Sequence, residues 1–368
     1  MSDKRTKNLV SGIINEFKER FQLIDLSNQS MKILVTGGAG YVGSVLIPSL
    51  IDKGYFVKCL DRFFFGSEFL SQEKFQNNIE LINDDIRWFD AKILDDVDVV
   101  FDLAALSNDP VGELNPSKTF EINHKGRSRV AKLSKEHGVQ RYILASSASI
   151  YGQQDDIANE ESSVKPLTAY SKANHNAEND NLLLNDDKFT VTALRFASVY
   201  GTSPRMRFDT AVNKMVLDLF NENKISVSGK ANKRPFIFLK DVVKAYFTIL
   251  DANIEKIGGE IFNVGSNEQN YRMDNLAQEI IDSVGEPCKI NFQETNDHRS
   301  YFASFEKIEN TLGFTTDYSV KNGAKEIYQA LQDNIVTDNI KTKTVEWYKH
   351  LLNNPEDSKK FLINNTLF

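Results

Sequence analysis

Three glycines, Gly37, Gly40 and Gly43, follow directly after a short apolar run and precede a helical pattern. In such a turn the first glycine permits the tight bend and the second lets a phosphate approach the backbone. The third lets the helix pack closely on the strand. The free N–H groups and the dipole at the helix start favour a pyrophosphate. The spacing therefore predicts a dinucleotide-binding turn.

A carboxylate, Asp61, ends the next strand-like run, where it can accept both ribose hydroxyls of an adenosine and would repel a 2′-phosphate. This favours NAD over NADP, although the neighbouring Arg62 would suit the 2′-phosphate. Asp85 follows the third run, where it can accept from an adenine amino group or lie in a solvated turn. The full set of expected cofactor contacts is Gly37, Gly40, Tyr41, Val42, Gly43, Asp61, Arg62, Asp85, Ile86, Leu103, Ala104, Ala105, Tyr170 and Asn174.

The elements that would position these residues alternate between strand-like and helical patterns. Strand-like runs lie at 32–36, 55–61, 79–82, 97–104, 140–146 and 189–195. This alternation predicts an α/β fold with a doubly wound parallel sheet, with ligands at the carboxyl ends of the strands. After residue 195 the rhythm breaks, which indicates a smaller C-terminal lobe. We expect a dinucleotide-binding domain over 31–197 with 236–264 returning to it, a substrate lobe over 198–235 and 265–330, and a C-terminal helical extension over 331–368.

The first 30 residues carry apolar side chains at helical spacing, among them Val10, Ile14 and Phe21, between charged residues. We expect an amphipathic helix that docks on the main body or on a partner subunit, with a membrane surface as the alternative. This segment lacks the apolar core and cleavage site of a secretory signal.

Composition excludes several classes of function. Across 368 residues, 41% are hydrophobic and 26% are charged, with a net charge of −7 and no basic stripe for nucleic acid. The apolar runs are too short to span a membrane. Cys59 and Cys288 have no ligand spacing and the histidines are scattered, so we expect no metal site, no disulfide and a reducing cytoplasm.

Several segments together resemble the extended short-chain dehydrogenase/reductase family, in its NAD-dependent epimerase/dehydratase branch that acts on nucleotide sugars. The resemblance runs in order from about residue 31 to about residue 330. The matching segments are TGGAGYVG at 36–43, DDIR at 84–87, LAA at 103–105, SSASIYG at 146–152, PLTAYSKAN at 166–174, LRFASVYG at 194–201, RPFIFLKDV at 234–242 and DHRSYFASFEKIENTLGF at 297–314.

The resemblance implies that Tyr170 is the acid/base for a sugar hydroxyl and that Ser147 shares the substrate oxygen. The family places a lysine four residues after the tyrosine, where its charge lowers the phenol pKa. Here Asn174 stands instead, and Lys172 points about 200° away around the helix. Losing that cation forfeits a downward pKa shift of about one to three units. Either the tyrosine is activated differently, or the enzyme works in the reducing direction with Tyr170 as an acid, or the site only binds.

The resemblance also implies a nucleotide-diphosphate sugar as substrate, held by two guanidinium groups on the smaller lobe. Ala148 and Ser149 stand where dehydratases of the family carry an acid and a base, which disfavours dehydration and leaves chemistry at C4 of the sugar. Arg234 or Arg299 could instead be a surface arginine that pairs with Asp241 or Asp297. Ser198 replaces an asparagine that is common in the family's sugar epimerases. The expected substrate contacts are Ser107, Ser147, Ser198, Arg207, Arg234 and Arg299.

Two functions follow from these expectations. The first is an NAD-dependent nucleotide-sugar 4-epimerase or C4 oxidoreductase that uses Tyr170, Ser147 and Asn174. The second is an NAD-binding regulatory or scaffold subunit with weak or no turnover, which is supported only by the asparagine at position 174. The resemblance further implies a homodimer, formed through helices around 112–137 and 168–185.

Overall fold

The computed structural model describes residues 31–368, so the amphipathic helix expected around residues 10–21 lies outside the described part. Most strands of the main sheet begin and end within one or two residues of the predicted runs. The strands are β1 (Lys32–Thr36), β2 (Phe56–Asp61), β3 (Ile79–Asn83), β4 (Val99–Asp102), β5 (Arg141–Ser147), β6 (Gln153–Ala158), β7 (Thr190–Phe196), β8 (Ser198–Tyr200), β9 (Lys224–Ser228), β10 (Lys233–Phe238), β11 (Glu260–Val264), β12 (Asn270–Arg272), β13 (Lys289–Gln293) and β14 (Ser300–Ala303).

Seven of these strands form one sheet in the order β11-β7-β5-β4-β1-β2-β3, and every pairing in it is parallel. The predicted doubly wound α/β fold is therefore confirmed. The inner strands are almost entirely buried, since helices cover both faces and each residue meets an apolar layer. The chain winds outward from β1 to β3 and then returns to β4, so the switch point lies between β1 and β4.

The helices that cover the sheet and build the smaller lobe show the expected 3.6-residue spacing of apolar side chains. A π-helical segment, Glu121–Gly126, lies directly before α4. The helices are α1 (Gly43–Asp52), α2 (Asp109–Gly112), α3 (Pro116–Phe120), α4 (Arg127–Glu136), α5 (Ala169–Leu182), α6 (Ala211–Glu222), α7 (Leu239–Asp251), α8 (Ile254–Ile257), α9 (Met273–Val284), α10 (Glu306–Leu312), α11 (Val320–Gln332), α12 (Thr344–Asn353) and α13 (Pro355–Ser358).

The return of residues 236–264 to the large sheet is only partly correct. Strand β11 pairs with β7 in the large sheet, as expected. Strand β10, however, pairs with β8 and β12 in a separate three-stranded sheet. The physical reason is that the apolar side chains of β10, such as Phe236 and Phe238, pack with α6, α9 and α11 in the core of the smaller lobe. The lobe boundaries themselves stay a prediction.

The C-terminal residues pack back onto the segment that follows β2. Trp347 donates from its indole nitrogen to the carbonyl of Phe64 at 2.8 Å, and the rings of Tyr348 and Phe368 lie against Phe64. Among residues 31–368 no helix is long and apolar enough to cross a membrane. The same part of the chain contains no cluster of metal-ligating side chains, and both cysteines are free thiols.

Candidate active site

A cleft of about 510 Å³ lies at the switch point, between the carboxyl ends of the strands and the smaller lobe. Nearly every residue expected from the sequence lines it. Those residues are Gly37, Gly40, Tyr41, Val42, Gly43, Asp61, Arg62, Asp85, Ile86, Leu103, Ala104, Ala105, Ser107, Ser147, Tyr170, Ser198, Arg207, Arg234 and Arg299. The exception is Asn174, which does not line the cleft.

The turn from Gly37 to Gly43, with Asp61 and the Leu103–Ala105 segment, forms what we call the glycine end of the cleft. Gly37 has a φ of +66°, and a Cβ there would lie 2.8 Å from the backbone of Ala104. A Cβ on Gly43 would lie 2.6 Å from the Cα of Gly38. These positions therefore require glycine, and the turn brings backbone amides to the start of α1, where a pyrophosphate fits.

The carboxylate of Asp61 joins the second strand to the glycine turn. It accepts from the backbone N–H of Ala39 at 2.9 Å and from that of Phe63 at 2.8 Å. Burial raises its pKa, against the lowering effect of these hydrogen bonds. Because a carboxylate offers further lone pairs, it can still accept from a ribose in the cleft.

The guanidinium of Arg62, which would suit the 2′-phosphate of NADP, is hydrogen-bonded within the protein. One nitrogen donates to Asp85 at 2.6 Å, and another donates to the backbone carbonyls of Phe361 and Thr366 in the C-terminal segment. Asp85 also accepts from Arg87 through both oxygens, at 2.9 and 2.8 Å. The two side chains therefore tie the C-terminal segment to the cleft wall. Arg62 therefore has its partners within the protein, while the contact of Asp85 with an adenine stays a prediction.

Tyr170 and Ser147 both line the cleft. Ser147 ends β5, and Tyr170 is the second residue of α5, whose start is capped by Thr168 and Ser171. The Ser147 hydroxyl donates to the Ser149 hydroxyl at 3.0 Å. Gly112 permits this position of Tyr170, because a Cβ there would lie 2.9 Å from the Cβ of Tyr170.

The surroundings of Tyr170 raise its pKa. Burial contributes most, and the charge of Asp109 adds to it. The neighbouring Ser147 hydroxyl and the charges of Arg127 and Arg207 act in the opposite direction. A raised pKa keeps the phenol protonated at neutral pH.

Asn174, which we expected to touch the cofactor ribose, does not line the cleft, and that contact stays a prediction. Its Oδ1 accepts from Nη1 of Arg127 at 2.8 Å, and its Nδ2 is buried with no partner among residues 31–368. The physical reason is that Asn174 lies one helical turn further into α5, on the face that packs against the sheet and α4.

Three arginines, Arg207, Arg234 and Arg299, and the aspartates that hold them form what we call the arginine end of the cleft. Arg299 pairs with Asp297 at 2.6 Å and also contacts Asp109. Arg234 donates to Asp297 at 3.2 Å. Arg207 is held by Asp209 at 2.9 Å and donates to Ser107 at 3.4 Å. Each guanidinium is thus oriented before any ligand arrives, and the pairing with aspartates that the sequence left open is present.

Some lining residues were missed. The Arg205 guanidinium lies 3.6 Å from the centre of the Phe65 ring, and its Nε is buried without a partner among the described residues. Tyr348, Leu367 and Phe368 from the C-terminal segment line the same wall. The only sequence signal for these residues is the aromatic run at 63–65, because three consecutive aromatic side chains require other apolar residues to bury them.

A glycine turn at the switch point of a doubly wound sheet is the mark of a dinucleotide-binding protein. The model of the NAD dependent epimerase/dehydratase family matches residues 33–265. The chain therefore belongs to this family, and the resemblance found in the sequence is confirmed. The expected cofactor, NAD, agrees with that family.

Individual relatives are distant. The chain is 27% identical over 306 residues to "Uncharacterized UDP-glucose epimerase YtcB" of Bacillus subtilis, which covers 80% of this chain and 95% of the relative. It is 28% identical over 353 residues to human dTDP-D-glucose 4,6-dehydratase, which covers 90% of this chain and 93% of the relative.

The fold has close solved counterparts. The UDP-glucuronic acid 4-epimerase of Bacillus cereus, solved with UDP-glucuronic acid and NAD, superposes with a TM-score of 0.74 at 22% identity. The match covers 83% of this chain and all of that one, 100%. At this identity the likeness establishes the fold, and the reaction has to be argued from the residues of the cleft.

Proposed function

We propose that this protein is an NAD-dependent nucleotide-sugar enzyme that acts at C4 of the sugar, as a 4-epimerase or a C4 oxidoreductase. The observation that carries the proposal is that Tyr170 and Ser147 line one cleft together with the glycine end and the arginine end. A pyrophosphate-binding turn on one side and three oriented guanidiniums on the other suit a dinucleotide and a nucleotide diphosphate.

The residues of this chain divide the work. The turn from Gly37 to Gly43 and the carboxylate of Asp61 would hold NAD, which supplies the hydride acceptor or donor when bound. Arg234 and Arg299 would bind the diphosphate of the sugar nucleotide. Ser147 would share the sugar oxygen with Tyr170, whose phenol exchanges a proton with that oxygen.

The raised pKa of Tyr170 supports the reducing direction. A neutral phenol can donate its proton to a 4-keto oxygen, whereas oxidation of an alcohol requires the phenolate. The Ala148-Ser149 pair supports chemistry at C4 rather than dehydration. Ala148 is fully buried and has no titratable group, and a serine is a poor acid or base. Several relatives are named as dehydratases or decarboxylases, so these reactions are alternatives to test.

The test begins with purified full-length protein, which is examined for retained NAD and then for turnover of UDP-, GDP-, dTDP- and CDP-sugars and their 4-keto forms. We expect Tyr170→Phe to lower turnover by about 100-fold or more while retained NAD stays unchanged. Tyr318→Phe is the matched control, because that phenol lies in the smaller lobe beside Phe238.

Full loss in Tyr170→Phe with no change in Tyr318→Phe supports the proposal. A wild-type protein that binds NAD but turns over none of these sugars would instead favour a binding subunit. Sedimentation of the same preparation tests the proposed homodimer.

A further inference from the structure

The core contains a cation, Arg127, to which neither the fold nor the proposed chemistry assigns a role. Arg127 is the first residue of α4 and is only 1% exposed. Burying a guanidinium is costly unless acceptors surround it. Its Nη1 donates to Asn174 at 2.8 Å, and its Nη2 donates to the carbonyls of Asp102 at 2.8 Å and Ala145 at 2.7 Å.

These partners place Arg127 beneath the floor of the active site. Asp102 ends β4 directly before the Leu103–Ala105 segment that lines the cleft. Ala145 lies two residues before Ser147 on β5 and also lines the cleft. Asn174 lies one helical turn after Tyr170 on the same face of α5. The guanidinium therefore contacts β5 and α5, which carry Ser147 and Tyr170, and also β4, which leads into the cleft lining.

We propose that Arg127 supplies, from α4, the positive charge that position 174 of α5 lacks, and that Asn174 holds its guanidinium against the catalytic helix. The proposal deepens the proposed function and rests on it. Arg127 is a positioning residue, since it acts on Tyr170 through electrostatics and through Asn174 without touching the cleft. A lysine at position 174 would supply the positive charge and hold it on α5 by itself. Here Arg127 supplies the charge from α4, and Asn174 holds it in place from α5.

The other charges around Tyr170 do not do the same work. Asp109 opposes ionisation of the phenol, and Glu113 accepts from the backbone of Ala169 at the start of α5. Arg207 favours ionisation, but it forms a two-point pair with Asp209 at 2.9 and 3.2 Å, which neutralises much of its charge.

The charge of Arg127 is less fully neutralised. The carboxylate of its acidic neighbour, Asp102, is reached only by Nε, at 3.4 Å. The carboxylate of Asp102 is meanwhile shared with the hydroxyl groups of Thr36 and Tyr142. In agreement with this arrangement, Arg127 lowers the pKa of Tyr170, although burial and Asp109 dominate in the opposite direction.

The experiment follows the ionisation of the phenol itself. Difluorotyrosine, whose phenol is more acidic, is placed at position 170 of the full chain and titrated by ¹⁹F NMR with NAD present. We expect Arg127→Gln to raise the midpoint by about one pH unit and Arg127→Lys to leave it near that of the wild type. Arg129→Gln is the matched control, because it removes the same charge from the same helix but bonds the carbonyls of Ile86 and Phe89.

A second variant covers the chance that Arg127→Gln does not fold. Arg127→Gln/Asn174→Lys moves the cation from α4 to α5, and we expect its midpoint to return to within a few tenths of the wild-type value. A folded Arg127→Gln with an unchanged midpoint overturns the proposal, and so does a folded double variant whose midpoint stays raised.

The titration needs no turnover, so it separates the two proposals. A wild-type protein without activity on any sugar nucleotide defeats the proposed function even where the midpoint shifts as expected. Where turnover is found, the basic limb of the pH–rate profile should move with the NMR midpoint. A purely structural Arg127 would lower the rate at every pH and leave that limb in place.

Discussion

The glycine end of the cleft is formed mainly by backbone, whereas the arginine end is formed by charged side chains. At the glycine end, Gly37 and Gly43 leave no room for a Cβ against the neighbouring backbone. At the arginine end, Arg207 is held by Asp209, and Arg299 is held by Asp297 and by Asp109 at the start of α2. The shape of the glycine end is therefore fixed by the backbone, while that of the arginine end depends on ion pairs between side chains.

This difference suits the two ligands that we propose. A cofactor that stays bound through many turnovers is served by amides that cannot move away. A sugar nucleotide that must enter and leave is served by guanidiniums that exchange an aspartate for a phosphate. The arginine end should therefore respond to charge and pH, and the glycine end to steric change.

The largest effect should come from Gly37→Ala. Its φ of +66° is strained for alanine, and the new Cβ would meet the Ala104 backbone at 2.8 Å. We expect loss of retained NAD and a fall of about 2 kcal/mol or more in the free energy of unfolding, measured by urea denaturation. Gly54→Ala is the control, because Gly54 has a φ of +89° with nothing within 4 Å. Equal losses in both variants would show that strain, and not the close approach, governs this end.

A smaller and more selective effect is expected at the arginine end. Arg299→Gln removes a charged donor to a phosphate, so we expect the dissociation constant for a sugar nucleotide to rise about 10- to 100-fold. Retained NAD should stay unchanged. Arg272→Gln is the control, since Arg272 pairs with Asp274 on the surface. Calorimetric titration measures both ligands, and parallel loss of NAD would mean that the two ends are not independent.

The smallest effect concerns the response to pH. Burial raises the pKa of Asp61 above its ordinary 3.8, so its contribution to stability is greatest below that pH and is lost as the pH rises through the raised value. Burial also acts to raise the pKa of Asp297, but Arg299 outweighs it and lowers the pKa. The contribution of Asp297 is therefore present above pH 3.8 and lost as the pH falls through the lowered value.

Asparagine variants at these two positions should consequently diverge. The stability of the wild type relative to Asp61→Asn should decrease as the pH rises from 3.8, and that relative to Asp297→Asn should decrease as the pH falls below 3.8. Urea denaturation between pH 3 and 6 measures both slopes. For the partly exposed Asp297 we expect only about 0.5 kcal/mol. Slopes of the same sign would remove the electrostatic distinction between the two ends.

The regions that were predicted well are those with local causes. The bounds of β1 agree with the predicted run, and β2, β3 and β7 differ from theirs by about a residue at one or both ends, because a short continuous apolar run is visible in consecutive side chains. The glycine turn was equally clear, since its steric demand arises within a few residues. Strand β10 was misplaced because an apolar run does not specify which of two sheets it joins.

Contacts between distant segments were not predictable. Arg62 is bound by Phe361, which lies 299 residues later in the chain. Arg127 meets Asn174 across 47 residues, and nothing in either local pattern connects them. From the sequence alone, Asn174 therefore indicates only the loss of a positive charge. The structure places the guanidinium of Arg127 beside it.

The amino-acid sequence by itself determined the alternation of strands and helices, the need for glycine at the turn, and the presence of a tyrosine and serine near the strand ends. These properties follow from backbone sterics and from the periodicity of apolar residues. Only the tertiary structure decided which aspartate holds each arginine and where the buried cation beneath Tyr170 comes from. The physical reason is that charge acts through space at a few ångströms, and folding alone sets those distances.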